Sequence, residues 1–289
     1  MLLNASGCLD ALAAPEVAST LDAFVTKTVT PEPRSGNRPV RIAETEHGML
    51  NSIGLQNPGI DAFLDVTLPR LAELGVPVWV SVGGSCPEEY ARLCSALERR
   101  DEVVAIELNL SCPNVASPEG DAAEIVAAAR AETERPLYAK LSAAAPDLGA
   151  VARAVSDAGA DGLSLVNTIR GLALDERTLE PRLGPAVGGY SGPALKPVAL
   201  AAVFTCYRET GLPIVGMGGI ATGSDALEFL AAGAAAVALG TVLFVDPEAP
   251  ERVRRELEDE LRTRGISSPA QATGLAHEGR PLRAPLSVA

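Results

Sequence analysis

The chain is poor in the residues from which many functional sites are built. Aromatic residues make up 3% of it, it has two histidines, and its five cysteines form no Cys-x-x-Cys pair. So little histidine leaves almost no material for a His-based metal site or catalytic triad. The cysteine spacing argues against a zinc site or an iron–sulfur cluster within this chain.

Basic residues are also few. The 24 Lys and Arg face 37 Asp and Glu, which gives a net charge of −13 and a pI near 4.7. Nucleic-acid binding requires a basic surface, so we exclude nucleic acid as a partner.

Long apolar segments are missing as well. The start, Met-Leu-Leu-Asn, lacks the features of a signal peptide. The longest uncharged run, Phe229 to Val245, reaches only the bottom of the ~17–25-residue range of membrane-spanning helices. We interpret this run as a helix end followed by a buried strand, and we expect a soluble, cytoplasmic protein without a membrane span.

What the chain has in plenty is short apolar runs, since hydrophobic residues make up 47% of it. Such continuous runs are typical of parallel strands that are covered on both faces. They predict strands at Leu2–Ala5, Ala23–Thr28, Val78–Val82, Ala105–Leu110, Leu137–Leu141, Gly162–Val166, Pro213–Met217 and Ala236–Leu239.

Amphipathic segments alternate with these strands. They predict helices at Ile60–Leu74, Pro87–Arg99, Asp121–Glu132, Leu148–Ala158, Pro193–Glu209, Ser224–Ala232 and Pro250–Arg264, with a weaker one at Pro15–Asp22. Eight strand–helix units indicate an α/β fold of the (β/α)8 TIM-barrel class, and a doubly wound sheet is the competing architecture. We expect one domain over residues 1–289, with long loop insertions at Val29–Asn57 and Asn167–Gly192 that serve function.

Polar residues and glycine pairs follow the predicted strands, where a barrel builds its active site. Gly216-Met217-Gly218-Gly219 and Gly240-Thr241 follow the last two strands. Bare backbone N–H groups there favour a phosphate site, although the glycines could simply make tight turns.

Two lysines, Lys27 and Lys140, end apolar strands. A buried ammonium is costly without a partner. A solvated strand end is one explanation. A ligand phosphate, a carboxylate or the electron-rich edge of a flavin would be a better partner.

Cys112 is the candidate for proton chemistry. It lies in a polar turn, Asn109-Leu110-Ser111-Cys112-Pro113-Asn114, whereas Cys94 and Cys206 fall in helix patterns and fit the role of small buried hydrophobes. A free cysteine has a pKa of about 8.5, so it can act as a base without a histidine.

These motifs resemble those of class 1 dihydroorotate dehydrogenases over nearly the whole chain. The resemblance rests on the turn that holds Cys112, on Thr26-Lys27-Thr28-Val29-Thr30-Pro31-Glu32-Pro33-Arg34, on Glu44-Thr45, on Gly48 to Gly59, on Asn167-Thr168, on Gly188 to Pro197 and on Gly216 to Ile220. The form Asn-Ser-Ile-Gly-Leu-Gln-Asn is similar to the NAD-linked branch.

The resemblance implies FMN as cofactor and oxidation of (S)-dihydroorotate to orotate in pyrimidine biosynthesis. FMN would be bound by Ser6, Lys27, Thr28, Asn109, Lys140, Val166, Gly192, Gly218, Gly219, Gly240 and Thr241. The substrate would be bound by Lys27, Asn51, Ser52, Ile53, Gly54, Leu55, Asn109, Asn167 and Thr168. Cys112 would remove the C5 proton while hydride passes from C6 to flavin N5, and no metal is expected.

The NAD-linked branch also implies a partner. This chain would form a homodimer within a heterotetramer, and a second subunit would carry FAD and a [2Fe-2S] cluster for electron transfer. The chain itself shows no second dinucleotide-binding fingerprint. An alternative is a chain that works alone with fumarate or another acceptor.

Two other functions stay open at the level of sequence. One is a related flavin barrel that acts on another dihydropyrimidine, like a dihydropyrimidine dehydrogenase. The other is a flavin-binding protein with degenerate catalysis, which the short link Asn114–Gly120 and the short segment before Asn4 suggest.

Overall fold

Two sheets organise the protein in the computed structural model, which describes residues 1–110 and 118–277. In chain order the strands of the described residues are Leu2–Asn4 (β1), Phe24–Val25 (β2), Ile42–Thr45 (β3), Gly48–Asn51 (β4), Val78–Val82 (β5), Val103–Asn109 (β6), Leu137–Ser142 (β7), Gly162–Asn167 (β8), Ile169–Leu172 (β9), Val187–Ser191 (β10), Ile214–Met217 (β11) and Ala236–Leu239 (β12).

The larger sheet is parallel and has eight strands in the order β1-β12-β11-β8-β7-β6-β5-β2. A parallel bridge from Leu3 to Ala23 joins its two ends. The Asn4 side chain reinforces this seam, because its Nδ2 donates to the Val25 carbonyl at 2.8 Å and its Oδ1 accepts from the Val25 N–H at 2.8 Å. The predicted (β/α)8 TIM barrel is confirmed.

Helices connect the barrel strands. They are Pro15–Ala18 (α1), Ile60–Ala62 (α2), Leu68–Ala72 (α3), Pro87–Glu98 (α4), Pro118–Arg130 (α5), Leu148–Asp157 (α6), Lys196–Thr210 (α7), Gly223–Ala232 (α8), Ala249–Thr263 (α9) and Pro269–Ala272 (α10). A π-helical turn at Phe63–Thr67 joins α2 to α3, and short 3-10 helices lie at Pro193–Leu195, Thr241–Phe244 and Leu275–His277.

The apolar runs in the sequence predicted the barrel strands correctly because these strands are buried on both faces. All five residues of β5 and all four of β12 are buried. One face packs against the helices, and the other fills the barrel with side chains such as Leu3, Val25 and Trp79. These two apolar layers explain why the strands read as continuous hydrophobic runs.

Helix ends agree with the sequence to within a few residues. The predicted start at Ser224 lies two residues after the N-cap, Thr222, which forms a capping box with Asp225. The weak segment Pro15–Asp22 is helical only over Pro15–Ala18. The run Phe229 to Val245 contains the end of α8 and all of β12, as interpreted from the sequence.

The two long insertions are more ordered than the loops that the sequence predicts. They form the second sheet, with the strand order β3-β4-β10-β9 and antiparallel pairing throughout. A small core of Ala43, Leu50 and Leu183 lies under it. These strands are mostly half-buried or exposed, so the apolar runs that reveal the barrel strands are missing here.

No helix in the described part of the chain is long and apolar enough to cross a membrane.

Candidate active site

One cavity of about 680 Å³ lies where the carboxyl ends of the barrel strands meet the second sheet. Its volume is in the range of small-molecule and cofactor sites. All the predicted binding residues line it: Ser6, Lys27, Thr28, Asn51, Ser52, Ile53, Gly54, Leu55, Asn109, Lys140, Val166, Asn167, Thr168, Gly192, Gly218, Gly219, Gly240 and Thr241. The predicted base, Cys112, lies outside the described residues.

Lys140 is buried in the floor of this cavity and has a buried counter-ion. Its ammonium donates to Ser6 Oγ at 2.7 Å and lies 3.5 Å from Glu107 Oε1. Side-chain exposure is 5% for the lysine and 2% for the glutamate, so both charges are withdrawn from water. A solvated strand end is therefore the wrong explanation for this lysine, because the ion pair is what makes its burial tolerable.

Lys27 is placed differently. Burial lowers the pKa of its ammonium, the positive charge of Lys140 lowers it further, and only Cys8 acts in the opposite direction. Within the described residues its Nζ has no hydrogen bond or ion pair. Among the described residues at the cavity floor, two ammonium groups, those of Lys27 and Lys140, therefore face one carboxylate, that of the buried Glu107, which favours an anionic or electron-rich ligand beside Lys27.

A chain of hydrogen bonds fixes the polar side chains between these lysines. Asn109 Nδ2 donates to Thr28 Oγ1 at 3.1 Å, and the Thr28 hydroxyl lies 3.0 Å from that of Ser81. Asn167 Nδ2 donates to Asn109 Oδ1 at 3.1 Å. Tyr90 further anchors the strand end by donating to the Asn109 carbonyl at 2.7 Å. These hydrogen bonds hold the two amides in one orientation.

Backbone groups rather than side chains form the opposite end of the cavity. Gly219 has a φ of +84°, and a Cβ there would lie 2.8 Å from the backbone nitrogen of Lys196 and 3.0 Å from the Gly192 carbonyl oxygen. The position thus needs glycine both for its conformation and for the close approach of two loops. Thr241 Oγ1 donates to Ser191 Oγ at 2.9 Å nearby. This end can present N–H groups to a phosphate.

The third of the chain's three lysines, Lys196, stabilises the glycine-containing loop that follows β11. Lys196 Nζ lies 2.6 Å from Asp225 Oδ1 and 3.2 Å from Glu228. The other oxygen of Asp225 accepts from the N–H groups of Ala221 and Thr222, each at 2.9 Å. The hydrogen bond to Asp225 raises the pKa of Lys196. The loop after β11 is therefore tied to the start of α7.

The second sheet supplies the remaining wall. Asn51 Nδ2 donates to the Gly189 carbonyl at 3.3 Å, and Asn37 Nδ2 donates to Ser52 Oγ at 2.8 Å. A Cβ on Gly189 would lie 2.1 Å from Thr168 Oγ1, so β10 can pass this threonine only as glycine. The predicted substrate residues from both insertions are thus brought to one face.

The sequence interpretation missed Glu107, Cys8 and Ser191. A charged residue in an otherwise apolar strand was the available signal for Glu107, and Cys8 follows the first strand end closely. Cys8 and Ser191 line the cavity. Burial raises the pKa of the Cys8 thiol, so it stays protonated at neutral pH despite the two lysines.

The buried cysteines agree with the sequence interpretation. Cys94 and Cys206 are fully buried in α4 and α7, and burial raises the pKa of each thiol to about 12. Among the described residues, no group of three or more His, Cys, Asp or Glu side chains is placed to hold a metal ion.

Comparison with known proteins agrees with this geometry. A solved dihydroorotate dehydrogenase from Eimeria tenella, in complex with ferulenol, superposes with a TM-score of 0.80 at 24% identity. The match covers 96% of this chain and 85% of that one. It shows the same fold.

Bacterial relatives are closer in sequence. The "Dihydroorotate dehydrogenase B (NAD(+)), catalytic subunit" of Desulforudis audaxviator is 46% identical, and the match covers 89% of this chain and 86% of the relative. The protein of the same name in Desulforamulus reducens is 45% identical, covering 89% and 87%. A "Putative dihydroorotate dehydrogenase A (fumarate)" of Solibacter usitatus is also 45% identical, covering 89% and 86%.

The family model for dihydroorotate dehydrogenase matches residues 1–261. With this match and relatives of 45–46% identity over most of its length, the chain belongs to the dihydroorotate dehydrogenase family.

Proposed function

We propose that the protein oxidises (S)-dihydroorotate to orotate in pyrimidine biosynthesis and uses FMN as its cofactor. The observation that carries this proposal is the convergence of eighteen predicted binding residues on one cavity. Family membership supports the same reaction.

The residues present fit FMN. At one end, Gly218, Gly219, Gly240 and Thr241 would hold the phosphate with backbone N–H groups. In the floor, Lys27 has an ammonium without a described partner, and the electron-rich edge of a flavin would supply one. Lys140 and Ser6 lie beside it. When bound, FMN supplies the acceptor for the hydride from C6 of the substrate.

The remaining polar residues suit a pyrimidinedione that carries a carboxylate. The amides of Asn51, Asn109 and Asn167 each offer a donor and an acceptor, which matches the alternating N–H and C=O groups of the ring. The Lys27 ammonium would attract the carboxylate. Cys112, three residues beyond Asn109, would take the C5 proton as general base.

We further propose that the electrons leave through a partner subunit to NAD⁺. The relatives named as catalytic subunits support a partner. The motif Asn51 to Pro58, which resembles the NAD-linked form, supports it too. The finer proposal is a homodimer of this chain within a heterotetramer, whose second subunit holds FAD and [2Fe-2S]. Fumarate is the competing acceptor, since a relative with that name has nearly the same identity.

Anaerobic addition of substrate to the purified holoenzyme tests the reaction. We expect (S)-dihydroorotate, but not dihydrouracil, to bleach the flavin absorbance. Bleaching by dihydrouracil alone would favour a dihydropyrimidine dehydrogenase-like function, and no bleaching by either would favour degenerate catalysis.

A second assay tests the acceptor. The purified chain receives dihydroorotate with either NAD⁺ or fumarate and no other protein. We expect little turnover with either acceptor. Rapid NADH formation or rapid fumarate reduction by the chain alone would overturn the two-subunit proposal.

A further inference from the structure

Asn57 is a buried asparagine that follows the predicted substrate loop, Asn51–Leu55, and it does not line the cavity. Its Oδ1 accepts from the N–H groups of Gly59 at 2.8 Å and Thr30 at 3.1 Å. Its Nδ2 donates to Thr30 Oγ1 and to the Leu55 carbonyl, each at 2.8 Å. Both amide atoms therefore use their full hydrogen-bonding capacity.

The residue that Asn57 holds has an unusual backbone. Leu55 has a φ of +54°, in the left-handed region that residues with a Cβ rarely adopt. The preceding Gly54 has a φ of +76°. Such a conformation persists only where the surroundings enforce it. The hydrogen bond from Asn57 Nδ2 to the Leu55 carbonyl enforces it on the carboxyl side of this residue.

Asn57 also joins two separate parts of the cavity wall. Thr30 lies in the segment that follows β2, three residues after Lys27, so the bonds to Thr30 tie this segment to the substrate loop. The backbone of Asn57 reinforces this link by exchanging two hydrogen bonds with Arg34, at 2.9 and 3.1 Å. A shift of this one side chain would change the position of the loop relative to Lys27.

We propose that Asn57 is a positioning residue that sets the geometry of the Asn51–Leu55 loop for binding of the carboxylated pyrimidine. This inference rests on the proposed function. Asn57 acts through Leu55 and Thr30, and it does not line the cavity in which cofactor and substrate would bind.

The variant Asn57→Asp tests whether Asn57 positions the Asn51–Leu55 loop. A carboxylate has the same shape and can accept from the N–H groups of Gly59 and Thr30, but it can donate neither to the Leu55 carbonyl nor to Thr30 Oγ1. Since an unpaired buried polar group is costly, we expect the KM for dihydroorotate and the Kd for orotate to rise roughly tenfold to a hundredfold. The Kd for FMN and the rate of flavin reduction at saturating substrate should stay within about twofold of the parent.

Two further variants keep the test decisive. Asn4→Asp is the matched control, because Asn4 is also buried and donates to a carbonyl, that of Val25, on the barrel wall. It should lower the Tm without a selective loss of orotate affinity. Thr30→Val keeps the shape of Thr30 but removes an acceptor of the Asn57 amide, so it should weaken orotate binding in the same direction by a smaller factor.

The measurements are calorimetric orotate titrations of the FMN-saturated proteins, FMN titrations of the apoproteins and steady-state kinetics. Parental orotate affinity in Asn57→Asp and Thr30→Val, or an equal loss of affinity for FMN and orotate, would overturn the inference. A parent holoenzyme that neither binds orotate nor is reduced by dihydroorotate would overturn the proposed function itself, and the inference with it.

Discussion

The two walls of the cavity differ in how firmly they are held. The barrel wall is deeply buried: Lys140 is 4% exposed, and Asn109 is fixed through Thr28 and Ser81. The wall from the second sheet is half-buried, and every residue of β10 has intermediate exposure. A cofactor that stays bound through many turnovers suits the first wall, while a substrate that enters and leaves suits the second. Regions with less burial open more easily.

We therefore propose that the barrel strand ends mainly bind the cofactor and that the insertions mainly bind the substrate, with Lys27 and Asn109 contacting both ligands. Variants of the two walls should therefore change the Kd for FMN and the Kd for orotate separately.

Cys112→Ser should have the largest effect, which is on the rate of flavin reduction. It should change neither the Kd for FMN nor the Kd for orotate. A hydroxyl is a much weaker base than a thiol at neutral pH, so flavin reduction by dihydroorotate should slow by about 10²–10⁴-fold. Stopped-flow absorbance of the flavin measures this rate. Residual activity should increase with pH. Parental reduction rates in the variant would show that Cys112 is not the base.

Lys27 stands where the two walls meet. Lys27→Gln should weaken orotate binding by about 10–100-fold, the usual worth of a hydrogen bond to a charged group. In the parent, burial and the charge of Lys140 lower the pKa of Lys27, so its proton is lost below the ordinary value of about 10.4. Because the ammonium is the form that binds an anion, orotate affinity should fall as pH rises towards 10.

The control for that pH dependence is Lys27→Arg, which stays charged over the whole range. Orotate titrations from pH 7 to pH 9.5 compare the three proteins. The pH dependence should disappear in Lys27→Arg, whatever its absolute affinity. The same slope in the arginine variant would assign the titration to another group.

Gly219→Ala tests the cofactor side. The added Cβ would lie only 2.8 Å from the backbone nitrogen of Lys196, on a residue whose φ is +84°. The loop after β11 therefore has to move. We expect FMN affinity to fall about tenfold, as followed by quenching of FMN fluorescence, since the strain costs of the order of 1–3 kcal/mol. Orotate affinity at saturating FMN should remain near the parental value.

Gly189→Ala is the matched test of the substrate side, with a smaller expected effect. The added methyl group would displace Thr168, whose hydroxyl lies 2.1 Å from the Cβ position. Because a half-buried sheet adjusts more easily than a buried barrel, we expect orotate affinity to fall by less than about tenfold. Calorimetry measures it, and FMN affinity should not change.

The sequence predicted the barrel and its ligand-binding ends well because both follow from local pattern. Continuous apolar runs locate the strands, and the residues after them must meet at one end of a barrel. Lys27, Lys140 and the glycines that follow β11 and β12 were identified in this way. The placement of all of them around one cavity follows from the fold.

The second sheet and the supporting contacts could not be predicted in the same way. Strand β10 contains Gly188 and Gly189, which have little strand propensity and no side chain to create an alternating pattern. The Glu107–Lys140 pair joins residues on neighbouring strands that are 33 positions apart in the chain. Such contacts depend on register, which periodicity alone does not give.

The double variant Gly189→Ala/Gly219→Ala, compared with the two single variants, tests the division of the cavity most directly. Its Kd for FMN and its Kd for orotate at saturating FMN are measured side by side. If the barrel wall and the inserted wall act separately, the double variant should show the FMN loss of Gly219→Ala and the orotate loss of Gly189→Ala, combined additively in free energy. Equal weakening of both ligands by either single variant would contradict the division.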